Sequence, residues 1–259
     1  MKEIKEYGLC RSGTNFLRVI LQENYEVKLL TNTGGWKHGY YELPQRLGRE
    51  VDVAICVKNP YAWLVSFYNH FQPEQKIAFA EYIRQPLNLQ RPERQDRALI
   101  AENAPELWVQ MYEHWLGIQL NERRSFLFRY EEVLANPYGS IQELVTTLGL
   151  RRQEPWHYRL RRSLGLANGQ PPFFRPSARL GAVPEHYKGK HIKRGEEFNS
   201  AQYTRHEYLH QYTPELLDYV NQRLKPQLME KLGYSIVQHD ALVGANVGNH
   251  PVNESRLGG

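Results

Sequence analysis

The stretch at residues 3–23, EIKEYGLCRSGTNFLRVILQE, most narrows what this chain can fold into. Residues 4–9 read as a short strand that feeds a tight turn. Gly8 and Gly13 stand five apart, and an apolar run with helical character follows in Phe16, Leu17, Val19, Ile20 and Leu21. A strand, a glycine-spaced turn and a helix together make an anion cradle. Backbone N–H groups at the helix start point outward, and the helix dipole favours negative charge there. The plainer alternative is an ordinary strand–turn–helix corner capped by Ser12 or Thr14.

The remaining chain repeats the alternation. Residues 26–30 read as a second strand, and 31–39, TNTGGWKHG, as a loop. Residues 51–58, VDVAICVK, form a nearly continuous apolar run rich in β-branched side chains, as a parallel strand buried on both faces requires. Asn59-Pro60 ends it, and Pro60 suits the first helical position. Residues 61–71 then follow a helical pattern in Trp63, Leu64, Phe67, Tyr68 and Phe71. Residues 72–102 are polar and read as a helical insertion or substrate lid. Residues 105–120 are an amphipathic helix, 125–130 a strand, and a helix opening near Pro137 closes at Gly149. Residues 151–200 have weak periodicity, and 214–232 read as one last helix. Strands alternating with helices imply an α/β fold with a central parallel sheet flanked by helices and right-handed crossovers. The expected organisation is one domain over 1–236 and a flexible tail over 237–259. In such folds ligands sit beyond the C-terminal ends of the strands, where Arg11, Lys58 and Tyr130 fall.

Composition narrows the classes. The 259 residues are long enough for one large α/β domain. A formal net charge of +5 suits an anionic ligand and is compatible with weak nucleic-acid binding, but no run of five basic residues, zinc-finger spacing, RRM aromatic motif or basic-zipper region is present. Nucleic acid is therefore not an expected partner. Only Cys10 and Cys56 occur, both read as following apolar residues in buried strands, so no disulfide framework is indicated. The start lacks the apolar core of a signal peptide, and no segment approaches 18 apolar residues. The expectation is a cytoplasmic protein with no membrane span.

The loop Gly8-x-x-x-x-Gly13 resembles a P-loop, but Thr14-Asn15 stand where an ATP-binding loop carries Lys-Ser or Lys-Thr. Its cation is Arg11, inside the loop. Cys10-Arg11-Ser12-Gly13-Thr14-Asn15-Phe16 resembles the 5'-phosphosulfate loop, Pro-Lys-Ser-Gly-Thr-Thr-Trp, of sulfotransferases that use 3'-phosphoadenosine 5'-phosphosulfate (PAPS). Lys58-Asn59-Pro60 followed by Ser66 resembles that family's 3'-phosphate motif, Arg-Asn-Pro-x-Asp-x-x-x-Ser, with the cation-to-serine step kept. Lys58 replaces the usual Arg, which leaves a point charge for a bidentate fork, and Ala62 stands where the family has Asp. Phe128-Arg129-Tyr130-Glu131-Glu132 resembles the family's Tyr-Glu-Asp strand end. The family's Arg-Lys-Gly loop has two partial matches, Tyr187-Lys188-Gly189 and Lys193-Arg194-Gly195.

The resemblance implies a three-layer P-loop-like fold and transfer of a sulfuryl group from PAPS to a hydroxyl or amine. The product is 3',5'-adenosine bisphosphate (PAP), and no metal is implied. Ser12, Gly13, Thr14 and Asn15 would hold the 5'-phosphate, and Arg11 would stabilise the leaving group. Lys58, Ser66 and one of the two C-terminal stretches, Lys188-Gly189 or Lys193-Arg194-Gly195, would hold the 3'-phosphate. Phe16 and Tyr130 would pack on adenine. His38 lies in the loop between the two phosphate motifs, where the family has its general base, and imidazole can take a proton near neutral pH. One of ten histidines, it reads otherwise as a surface-loop residue. Two other functions fit less of the sequence: a non-catalytic PAP or PAPS binder, kept open by Lys58 and Ala62, and a P-loop nucleotide kinase, weakened by the missing Gly-Lys-Ser/Thr. A small molecule, a carbohydrate or a lipid would all serve as acceptor, and the oligomeric state is left open.

Overall fold

The computed structural model describes residues 1–30, 33–40, 47–48, 50–71, 77–89, 98–119, 125–151, 203 and 205–242. Four parallel strands form the central sheet: β1 (Lys2–Tyr7), β2 (Val27–Leu29), β3 (Asp52–Val57) and β4 (Ser125–Arg129), in the order β2-β1-β3-β4. Tyr7 pairs with Ile55, and Val57 with Arg129, so these three strands end side by side. All six residues of β3 are buried: Val53–Val57 as an apolar run demands, and Asp52 paired with Lys2 at 2.6 Å. Val53, Ile55 and Val57 face one core, while Ala54 and Cys56 face the other.

Each core is closed by helices. Helix α1 (Thr14–Asn24) buries Leu17, Ile20 and Leu21 at helical spacing, together with Ile141, Leu144, Val145 and Leu148 of a later helix, Pro137–Leu148. On the opposite face lie α2 (Pro60–Phe71) and α4 (Ala104–Gln119), beyond the one-turn α3 (Phe79–Tyr82). A short α5 (Tyr130–Ala135) opens directly from β4. The helix over Pro137–Leu148, α6, has Asn136 as its cap, accepting from Gly139 N at 3.1 Å, and ends in left-handed Gly149. The layered α/β architecture expected from the alternation is therefore present, with helices on both faces of a parallel sheet.

The aromatics of α4 are core residues with polar tips. Trp108 Nε1 donates to Lys58 O at 3.1 Å, Tyr112 Oη to Cys56 O at 2.9 Å and Trp115 Nε1 to Gly39 O at 3.1 Å. Buried rings of this kind need a partner for N–H or O–H. Here those partners are backbone carbonyls in and just after β3 and in the loop before it, so one helix braces the rim that carries the site.

Four expectations change. The described part of 72–102 is the one-turn α3 and an antiparallel ribbon, Leu87–Leu89 against Leu99–Ala101 (β5 and β6), rather than a helical insertion. The last helix is two, α7 (Pro214–Asn221) and α8 (Pro226–Lys231). Pro226 lacks an N–H and forces Lys225 into extended backbone, φ −97°, which breaks the run. Contacts run past residue 236: Val237 N donates to Tyr61 Oη at 3.1 Å, His239 pairs with Asp218 at 2.8 Å, and Leu242 is buried. Cys10 lies in the turn after β1 instead of in a strand, while Cys56 is buried in β3, and both are thiols.

Candidate active site

The anion loop is held in a shape few sequences allow. Any Cβ on Gly8 would lie 2.6 Å from Cys56 O and from Ser12 Oγ, so only glycine fits. Ser12 closes the turn on Leu9 O through its N–H at 3.0 Å and its hydroxyl at 2.7 Å. Arg11 then adopts φ 74°, left-handed backbone that a side chain takes at a cost of roughly 1–2 kcal/mol. Gly13, φ 97°, is the N-cap of α1, and neither a capping side chain nor an acidic residue occupies the first turn. Arg11 Nε is buried without a hydrogen-bond partner. An uncapped helix start, a strained loop and an orphaned guanidinium donor together fit an anion. Neither Ser12 nor Thr14 plays the capping part that the plainer alternative assigned to them.

The second motif meets the first across the sheet. Lys58 follows β3 directly, as Gly8 follows β1, and those strands are neighbours. Asn59 Oδ1 accepts Tyr61 N–H at 3.1 Å and caps α2, which Pro60 opens. Trp63 Nε1 donates to Cys10 O at 2.8 Å, and buried Ser66 lies one turn further along α2. The Lys58 ammonium lies 4.1 Å from the centroid of Tyr130 and 4.4 Å from that of Tyr203. Burial holds its pKa below the ordinary lysine value, with Tyr203 and Glu131 opposing and Arg11 adding to the depression.

Tyr130 forms the floor of the loop. Its Cδ2 would stand 2.6 Å from a Cβ on Gly13, and its ring meets Phe16 edge-on at 6.2 Å. Phe16 is also edge-on to Phe128 at 5.9 Å. Beside Tyr130, Glu131 Oε1 accepts Asn59 N–H at 3.0 Å and Oε2 accepts the Tyr234 hydroxyl at 2.9 Å. Burial raises the Glu131 pKa, although Lys58 and these hydrogen bonds pull it down.

The loop before β3 docks on Gly8. Gly8 N donates to Lys37 O at 3.0 Å, and His38 Nδ1 lies 2.5 Å from Gly8 O. A carbonyl only accepts, so Nδ1 carries the proton, and the neutral ring keeps its lone pair on Nε2. Trp36 packs edge-on to this ring at 5.2 Å. Lys37 Nζ reaches Asn15 Oδ1 at 2.6 Å and Glu6 Oε1 at 3.4 Å, and Glu6 also pairs with Arg18. Burial lowers the Lys37 pKa against the pull of Glu6.

Of the residues singled out in the sequence, Arg11, Ser12, Gly13, Thr14, Asn15, Phe16, His38, Lys58, Ser66 and Tyr130 all lie around the C-terminal ends of β1, β3 and β4. Lys188, Gly189, Lys193, Arg194 and Gly195 lie outside the described residues. Sequence reading missed Glu6, Trp63 and Tyr203, and it gave Lys37 and Glu131, which stand in stretches it singled out, no role of their own. The signal for Glu6 was a charge inside an expected buried strand. Tyr203 carried none. Among the described residues, no group of three His, Cys, Asp or Glu side chains is placed to hold a metal ion, and no helix is long and apolar enough to cross a membrane.

Residues 39–164, just under half of the chain, match the family model of the sulfotransferase domain. That stretch contains Lys58, Ser66 and Tyr130, and the Arg11 loop and His38 precede it. Among solved structures, mouse sulfotransferase SULT7A1 complexed with PAP matches with a TM-score of 0.47 and 12% identity, over 95% of this chain and 88% of that one. No curated protein matches the sequence significantly.

Proposed function

We propose that this chain, whose residues 39–164 match the family model of the sulfotransferase domain, transfers a sulfuryl group from PAPS to a hydroxyl or amine acceptor. The observation that carries the reading is the joining of two anion motifs at neighbouring strand ends, with Trp63 bonding the helix of one to the loop of the other. Two separate phosphates on one nucleotide call for two such cradles. The uncapped start of α1 would hold the 5'-phosphate, with Thr14 and Asn15 beside it. Lys58 and Ser66 would hold the 3'-phosphate, together with Lys188-Gly189 or Lys193-Arg194-Gly195. Phe16 and Tyr130 are proposed for adenine.

In the transfer, the acceptor oxygen or nitrogen bonds to sulfur while the S–O bond to the 5'-phosphate breaks. The electron pair stays on that phosphate oxygen, where Arg11 meets the developing charge. His38 Nε2 takes the acceptor proton, because the bond from Nδ1 to Gly8 O fixes the required tautomer. Cys10 and Cys56 are both thiols, which suits a reducing, cytoplasmic setting. The acceptor is a small molecule, a carbohydrate or a lipid.

Radiolabel transfer from PAPS to a panel of phenols, sugars, amines and lipid alcohols tests the activity. Thermal shifts test the nucleotide. PAP at a hundredfold excess over its Kd should add about 2.7 kcal/mol of stability. ATP, without a 3'-phosphate, should add much less. An equal or larger effect of ATP at matched concentration would sink the reading, whereas PAP binding without transfer would leave a binder rather than an enzyme.

A further inference from the structure

We infer that Glu131 is the positioning residue of the second anion motif, holding the Asn59-Pro60 turn by one carboxylate oxygen and facing Lys58 with the opposite charge. The inference rests on the proposed reading of Lys58 as a 3'-phosphate ligand. Val57 pairs with Arg129, so the residues that follow, Lys58-Asn59 and Tyr130-Glu131, leave the sheet side by side. From there Glu131 Oε1 takes the Asn59 N–H at 3.0 Å, and Oε2 is tied to Tyr234 at 2.9 Å. The first turn of α2 has no acidic residue of its own, so the carboxylate at its start comes from another element.

The charge has a second use. Lys58 is faced by the Tyr130 and Tyr203 rings, the Tyr203 hydroxyl, the Arg11 guanidinium and Glu131. Glu131 in turn is faced by Lys58 and by the hydroxyls of Tyr234, Tyr208, Tyr112 and Tyr130. A buried ammonium beside a guanidinium loses its proton readily unless an anion opposes the loss. Glu131 is the carboxylate that does so for Lys58.

Calorimetry of PAP and of adenosine 5'-monophosphate from pH 7.5 to 10, at constant ionic strength, separates the two uses. The ratio of the two affinities isolates the 3'-phosphate, which is a dianion across this range. In the parent protein the ratio should fall with rising pH as Lys58 loses its proton, and Lys58→Arg should abolish the fall. Glu131→Gln keeps the bond to Asn59 but not the charge. Its fall should come at lower pH than in the parent, so the ratio within the limb drops below the parent's. Glu131→Asp keeps the charge but is too short to hold Asn59. Its limb should stay in place while the ratio at pH 7.5 drops severalfold. Unchanged adenosine 5'-monophosphate affinity reports an intact fold in each variant. A limb at the same pH in the parent and Glu131→Gln overturns the electrostatic role, and a parent-like ratio in Glu131→Asp overturns the hold on Asn59. A ratio near one in the parent at pH 7.5 overturns the assignment of Lys58 itself.

Discussion

Trp63 Nε1 donates to the Cys10 carbonyl at 2.8 Å, so the helix that carries Ser66 is bonded to the loop that carries Arg11. Trp63 is fully buried and stacks on Phe67 with ring centroids 4.8 Å apart. Trp63→Phe keeps most of that packing and strands one carbonyl in a strained loop. It should lower stability by about 1–3 kcal/mol. PAP affinity should fall with it, since both cradles lose their common reference. Urea unfolding and calorimetry on the same preparation check the pair of effects. Loss of stability without loss of affinity would mean that the bond is only structural.

Gly13 is under two independent constraints, φ 97° and the Tyr130 ring. Gly13→Ala should therefore destabilise by more than about 1 kcal/mol. Shortening the ring by Tyr130→Leu should relieve the steric part and leave the backbone part. A double-mutant cycle in urea that shows simple additivity would remove the contact between these two residues from the account.

Arg11 and Ser66 should separate turnover from binding. Arg11→Ala should lower turnover strongly while PAP still binds. Ser66→Ala should weaken PAP by about 1.5–3 kcal/mol, the range of a hydrogen bond to a charged group. Untouched PAP binding in Ser66→Ala would show the second motif to be misassigned.

His38→Ala should lose about 10²- to 10⁴-fold in turnover with little change in PAP affinity. His38→Asn should be nearly as inactive, since an amide accepts a hydrogen bond but not a proton. Turnover within about threefold of the parent in both variants, with an acceptor known to react, returns His38 to a structural part on Gly8.

Glu131 predicts a pH dependence of stability that needs no ligand. Burial raises its pKa in the folded state, so the native protein prefers the neutral acid. Below the unfolded value, about 4.3, the group is neutral in both states and adds no penalty. As pH rises through the folded value the carboxylate ionises in place, and its desolvation penalty becomes complete. The stability of the parent relative to Glu131→Gln should therefore decline as pH rises above that unfolded value. Urea midpoints at matched salt measure it, and a difference that grows with pH contradicts the assignment.

Much of the scaffold was legible in one dimension because it rests on local rules. The apolar run of residues 51–58 could only be a doubly buried strand, and β3 is one. Pro60, Pro137 and Gly149 stand where a helix must start or stop. The single expected helix over 214–232 failed at Pro226, whose own local rule was the stronger one. The antiparallel ribbon of β5 and β6 was missed because its strands are three residues long, too short to show alternation.

The sequence by itself determined the local form of the candidate site: a loop that only glycines can close, a helix start without an acid, and two cations placed just after strands. These follow from backbone sterics and dipoles, which act over a few residues and leave their mark in spacing. Only the tertiary structure decided how the parts meet. Trp63 on Cys10, Glu131 on Asn59, His38 on Gly8 and Tyr203 over Lys58 join positions 30 to 145 residues apart. Such contacts depend on strand order and register, through which parallel pairing sets β1, β3 and β4 side by side. The charges of Lys58 and Glu131 are settled at that level too, because desolvation is a property of everything packed around a group and not of its neighbours in the chain.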